Sequence, residues 1–197
     1  MTPDISTAVD VFERNPAELW NMPVERPFGR WNVVGLFNFD MDEQGTSITR
    51  SVRFEDLDLA ADKEYLVHEF WSGSFLGSLT GGFERTLAAP DCEIYSIVER
   101  RDHPVLVSTN RNVRNMAYDV VGLEWDATSC TLRGESKVVG DDPYELRVFV
   151  PKGYEYAEAH AEGLEAAGRV DGDLVHVRFV APVNRDVAWR VQFRERS

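Results

Sequence analysis

At 197 residues, 43% of them hydrophobic, the chain has apolar material for one large or two small folded units and too much for a disordered one. Its net charge of −13, from 34 Asp and Glu against 21 Lys and Arg, excludes the basic stripe that nucleic acid or an anionic membrane needs as a partner. Apolar runs are only a few residues long, so no segment reads as a membrane span, and "MTPDISTAVDVFERNP" has neither the basic nor the apolar region of a secretory signal.

Residues 1–27 read as an N-terminal arm. "NPAELW" predicts a short helix, with Asn15 as N-cap and Pro16 at the first helical position. The two prolines of "MPVERPFGR" argue against regular structure behind it. "WNVVGLFNFD" (Trp31 to Asp40) is nearly all apolar, as for a strand buried on both faces, and "MDEQGTS" is its turn. "SITRSVRFEDL" alternates loosely. "EYLVHEFW" is a strand that ends in the turn "SGS", and "SFLGSL", "GGFERTLAA" and "CEIYSIVER" follow as further short strands. Short strands punctuated by turns are the pattern of an antiparallel sandwich.

"RRDHP" (Arg100 to Pro104) is a charged, proline-closed break. Beyond it "VLVSTN" and "LEWDATSCTLRGESKVV" read as strands, with "DATS" turning a hairpin. "YELRVFVP" sets Tyr144, Leu146, Val148 and Val150 on one face against Glu145 and Arg147. "LVHVRFVAP" and "VAWRVQFRE" repeat the pattern, the latter with Val187, Trp189, Val191 and Phe193 inward. "YEYAEAHAEGLEAAG" reads either way: alanines at 157, 159 and 161 alternate as in a strand, the reading preferred, while the composition suits a helix. No α/β alternation encodes a Rossmann unit or TIM barrel. The expected fold is all-β, an antiparallel β-sandwich in two packed units, 28–100 and 105–197, behind the 1–27 arm.

Catalytic chemistry is sparse. Asp40 and Asp42, and Asp141 and Asp142 before Pro143, read as turn residues rather than a glycosidase pair. His68, His103, His160 and His176 lack metal-ligand spacing, and no nucleophile elbow or phosphate loop occurs, so neither metal nor cofactor is expected. Cys92 and Cys130, far apart, read as free thiols of a reducing, cytoplasmic compartment. The only lysines are Lys63, Lys137 and Lys152. Such an acidic, lysine-poor surface suits a halophilic cytoplasm, or is that of an ordinary acidic protein.

One stretch, "EFWSGSFLG" (Glu69 to Gly77), crowds Phe70, Trp71 and Phe75 around Ser72-Gly73-Ser74. Strand geometry puts Tyr65, Val67, Glu69 and Trp71 on one face and Leu66, His68 and Phe70 on the other. The cluster is either sandwich core, the reading preferred, or a sugar-stacking platform. For the platform the candidates are Trp71 with Glu69 and Trp31 with Asn32. Asn110 and Arg111 in "STNRN" are the polar counterpart, unless that segment is a solvated loop.

"WNVVGLFNFD", "EDLDLAADKEYLVHEFWSGSFLGSL", "LAAPDCEIYSIVE" and "HPVLVSTNRNV" together resemble the region after the catalytic barrel in α-galactosidase-like (melibiase-type) glycoside hydrolases. The resemblance spans about residues 10–150. Phe39 stands where that family has Trp, and Asp91 where it often has His. The resemblance implies a non-catalytic accessory β-sandwich, acting in carbohydrate contact or domain packing. Alternatives are a stand-alone carbohydrate-binding module and an interaction subunit for a separately encoded catalytic chain. The partners implied are a carbohydrate, a barrel chain or a second copy. The barrel supplies the catalytic aspartates in that family, so no catalytic residue carries over.

Overall fold

The computed structural model describes residues 4–41 and 45–196. The chain divides into two compact units: Met1–Glu25 with Gly29–Arg100, and Arg26–Phe28 with Arg101–Ser197. Among the described residues there is no α-helix, and so none long and apolar enough to cross a membrane. The turn expected over "MDEQGTS" falls partly on residues 42–44, outside those described.

The first unit holds β1 (Thr7–Ala8), β2 (Leu19–Arg26), β3 (Gly29–Asn38), β4 (Ile48–Arg53), β5 (Glu64–Glu69), β6 (Phe75–Thr80), β7 (Gly82–Leu87) and β8 (Asp91–Glu99). Its six-stranded sheet runs β1-β2-β3-β8-β5-β6, and β4 pairs with β7 in a separate ribbon. Val34 and Leu36 of β3, Tyr65 and Val67 of β5, and Tyr95 and Ile97 of β8 point to one side. There they pack with Val52, Leu87 and the 3-10 turn Phe54–Leu57. Phe54 is fully buried and meets Tyr65 edge-on at 5.0 Å.

The expected helix at Asn15–Trp20 is not formed, and the segment before residue 28 is not an arm. Its backbone groups go to neighbouring strands: Val9 N–H donates to Leu19 O at 2.9 Å and Phe37 N–H to Glu18 O at 2.8 Å. The Asp10 carboxylate accepts the N–H groups of Glu18 and Leu19 at 3.1 and 3.0 Å. With Leu19, Met22 and Val24 buried, sheet pairing outweighs local capping propensity. Pro23 sits inside β2, against the reading of "MPVERPFGR" as irregular. β1 covers β2 only at Trp20 and Asn21, so Pro23 lies on an open edge where no ladder donor is missed.

The second unit holds β9 (Val105–Thr109), β10 (Val120–Asp126), β11 (Thr131–Val138), β12 (Tyr144–Phe149), β13 (Tyr154–Ala161), β14 (Ala166–Asp171), β15 (Leu174–Phe179) and β16 (Arg185–Glu195). They form two four-stranded sheets, β10-β11-β16-β13 and β14-β15-β12-β9. The ambiguous 154–168 segment is therefore strand, entering β14. Its small residues have a packing reason: a Cβ on Gly168 would lie 2.0 Å from the Tyr156 hydroxyl. Tyr144, Leu146, Val148, Val187, Trp189, Val191 and Phe193 are buried as the alternation requires, and Val150, past the end of β12, is half-buried.

A polar chain crosses this second core from sheet to sheet. Trp189 Nε1 donates to Ser136 Oγ at 2.9 Å, and the Ser136 and Tyr144 hydroxyls lie 3.0 Å apart. The Tyr144 and Thr109 hydroxyls both donate to Asp119 Oδ2, at 2.7 and 2.6 Å. Burial first, and then the Asp119 charge, hold the Tyr144 phenol above its ordinary pKa. Each hydroxyl in this network is satisfied, while Asp119 Oδ1 is buried without a hydrogen-bond partner among the described residues.

Candidate functional site

The "EFWSGSFLG" turn is built around one carboxylate. Glu69 is 1% exposed. Its Oε1 accepts from the Trp71 and Ile94 N–H groups at 3.0 and 3.2 Å, and its Oε2 from the Ser72 N–H and hydroxyl at 2.5 and 2.7 Å. Burial alone would raise the carboxyl pKa; the Ser72 hydroxyl and the three backbone donors outweigh it and hold the group below its usual range. Gly73 takes a φ of 70°, which lets the chain reverse within three residues. The turn is thus fixed from inside, and the Glu69 oxygens are occupied in fixing it.

That turn presents Trp71 outward. The ring is 60% exposed, which corrects the preferred reading of the cluster as core. β5 ends at Glu69, so the period-two rule that put Trp71 with Val67 and Tyr65 no longer applies. Phe70 is half-buried and meets Trp71 edge-on at 5.1 Å.

Trp71 belongs to a larger strip. Gly35 and Phe37 on β3, and Phe39 just past its end, lie away from the core that takes Val34 and Leu36. Register sets Gly35 opposite Ile94 and Phe37 opposite Cys92 on β8, and Phe70 N–H continues the sheet to Ile94 O at 2.7 Å. The Phe37 ring folds over Gly35, where a Cβ would lie 2.8 Å from it. Phe37 stacks on Phe39, 5.3 Å and 2° from parallel, and Phe39 is 44% exposed. The Cys92 thiol joins the two ends. Burial raises its pKa, as do the charges of Asp91 and Glu69, while a hydrogen bond with Trp71 acts the other way. The result is a continuous apolar face: Phe39, Phe37, Ile94, Cys92, Trp71 and Phe70.

The other sequence candidates lie elsewhere. Trp31 is 4% exposed, so its ring has no free face to stack on a ligand. Its neighbour Asn32 is spent inside, donating to Asn21 Oδ1 at 2.9 Å and Leu57 O at 3.1 Å. Asn110 uses its amide on backbone, donating to Pro143 O and accepting from Glu145 N–H, both at 2.9 Å. Arg111 pairs with Asp142 and lies 5.6 Å from the centre of the Tyr144 ring. Both cysteines are free, and no group of three His, Cys, Asp or Glu among the described residues is arranged for a metal ion. Of the six candidates, Glu69 and Trp71 meet in one turn. The Phe37 and Phe39 part of the strip was missed. Its signal was the alternation in "LFNFD", which puts both rings on one face.

Residues 14–97 match the family model described as the alpha galactosidase C-terminal beta sandwich domain. No curated protein matches the chain. Among solved structures it is similar to isomalto-dextranase of Arthrobacter globiformis T6 complexed with panose, at 17% identity and a TM-score of 0.31. The likeness covers 91% of this chain and 35% of that one, so the chain spans about a third of that protein's length. The resemblance read from the residues is thus matched over 14–97, from the approach to β2 into β8, where the chain is similar to the α-galactosidase C-terminal β-sandwich.

Proposed function

We propose that the chain is the non-catalytic accessory sandwich of a melibiase-like glycoside hydrolase, and that its first unit docks on the catalytic barrel through the Phe39–Phe37–Cys92–Trp71–Phe70 strip. The strip itself carries this reading. It brings the rings of Phe37, Phe39, Phe70 and Trp71 to one side of the sheet in a chain of net charge −13. Contiguous exposed apolar surface marks an interaction site, and the centres of protein interfaces are enriched in aromatics and depleted of charge. Glu69, at one end of the strip, is held by hydrogen bonds from Trp71, Ser72 and Ile94 and is not available to read sugar hydroxyls.

A second reading, carbohydrate contact, is favoured by the exposed Trp71 ring beside the Ser72 and Ser74 hydroxyls, an apolar plane with small polar neighbours. The test is calorimetric titration of the chain with a melibiase-type barrel expressed without its own sandwich. The docking reading expects binding that Phe39→Asp weakens about tenfold or more, as for an interface hot spot, with folding intact. Barrel binding unaffected by Phe39→Asp, together with glycan binding lost in Trp71→Ala, contradicts docking and supports the second reading. Self-association abolished by the same substitution would instead identify a second copy as the occupant.

A further inference from the structure

A row of bases crosses the outer face of the β10-β11-β16-β13 sheet in the second unit. Register sets Glu124, Arg133, Arg190 and His160 opposite one another on the four strands. Elsewhere on this face opposite charges meet: Lys137 lies opposite Asp186, and Arg194 opposite Glu155. Arg133 also reaches Asp126 at 2.9 Å, and His160 reaches Glu158 at 3.2 Å. Arg190 differs. It has a base on each side and makes no hydrogen bond or ion pair among the described residues. Like charges set directly opposite disfavour strand pairing, so the arrangement calls for an anion from outside the chain.

Beside Arg190 the face is hollowed. Ala188 is the next outward residue of β16, and a groove of about 700 Å³ opens there, lined by Arg133, Gly134, His160, Glu162, Ala188 and Arg190. Gly134 can carry no side chain, because a Cβ would lie 2.3 Å from the Trp189 ring. The indole thus packs directly on the Gly134 backbone, and Trp189 and Ala161 complete the lining. The lining carries both charges, the bases Arg133, His160 and Arg190 and the acid Glu162.

We infer that this groove binds a hexuronate residue of an acidic saccharide. A bare anion would be attracted by Arg190 and repelled by Glu162. A uronate satisfies both charges: its carboxylate takes the planar guanidinium fork of Arg190, and its ring hydroxyls donate to Glu162. The inference rests on the accessory reading only in taking the ligand to be a saccharide. Its residues belong to the second unit and none to the strip.

The experiment is calorimetry of the full chain at low salt with tri-galacturonate, neutral galactotriose and sodium acetate. Tri-galacturonate is expected to bind more tightly than either of the others. Arg190→Ala should weaken it about tenfold or more, as loss of a charge-assisted bidentate contact does, and Glu162→Gln should weaken it without affecting acetate. Both side chains point to solvent, so melting temperatures should match wild type. The Phe39→Asp chain should keep its uronate affinity, which separates failure here from failure of docking. Absence of tri-galacturonate binding, equal binding of galactotriose or acetate, affinity unchanged in Arg190→Ala, or tighter binding in Glu162→Gln would each overturn the inference.

Discussion

The two units treat the surfaces of their sheets differently. In the second, outward positions of β11, β16 and β13 carry Arg133, Lys137, Arg190, Arg194, Glu155 and His160, and hydrogen bonds link Ser136, Tyr144 and Asp119 inside it. In the first, the side of the six-stranded sheet facing away from Val34, Leu36 and Tyr95 carries Phe37, Phe39, Ile94 and Phe70, with Trp71 at its end. Both obey strand alternation. The outer sheet face of the second unit is lined with charge, whereas that of the first sets Phe39 and Trp71 in solvent.

The comparison breaks first if the buried side of unit one is not a true core. Phe54→Ala removes a fully buried ring from against Tyr65 and Phe83 and should cost about 3–5 kcal/mol in urea unfolding. A much smaller loss would mean that the β4–β7 ribbon does not close the core. The counterpart in unit two is Asp119→Ala, which leaves the Thr109 and Tyr144 hydroxyls without their common acceptor. At about 1–3 kcal/mol for each stranded buried group, the loss should be about 2–6 kcal/mol. A neutral result would show that the hydroxyls find other partners.

A pH-dependent test sharpens the contrast. The His176 imidazole, against the opposing effect of burial and with help from Arg147, holds the Glu145 carboxyl at about 2 instead of 4.5. A depressed carboxyl stabilises the fold above the unfolded value, and that contribution is lost as pH falls from about 4.5 towards 2. With the side chain 23% exposed and so partly screened, Glu145→Gln should cost about 1–3 kcal/mol at neutral pH. The difference from wild type should close near pH 2; one that persisted there would have another origin. Salt acts on both units together. At net −13, self-repulsion reaches farthest at low ionic strength, where the screening length is about 30 Å at 0.01 M. The melting temperature should rise from millimolar to molar KCl, and a flat profile would remove the high-salt reading of the acidic surface.

Strands that bury one face were legible in the sequence, because alternation in "YELRVFVP" and "VAWRVQFRE" is local. The helix expected at Asn15 failed because the partners of its backbone, Phe37 and Val9, lie outside the six residues that suggested it. The strip was half legible. "EFW" identified Trp71, but its exposure depends on β5 stopping at Glu69, and its junction with Phe37 depends on a β3–β8 register across more than fifty residues. Asn110 and Arg111 show the converse: polar types that suit hydroxyl recognition are used here to hold β12 and the loop before it.

The central claim is that the Glu69-stapled turn holds Trp71 outward for a partner, and Trp71→Ala tests it most directly. The account predicts an unfolding free energy within about 0.5 kcal/mol of wild type, as for an exposed substitution, and clearly weakened affinity for the barrel. A loss of stability as large as that of Phe54→Ala would contradict it and return the ring to the core.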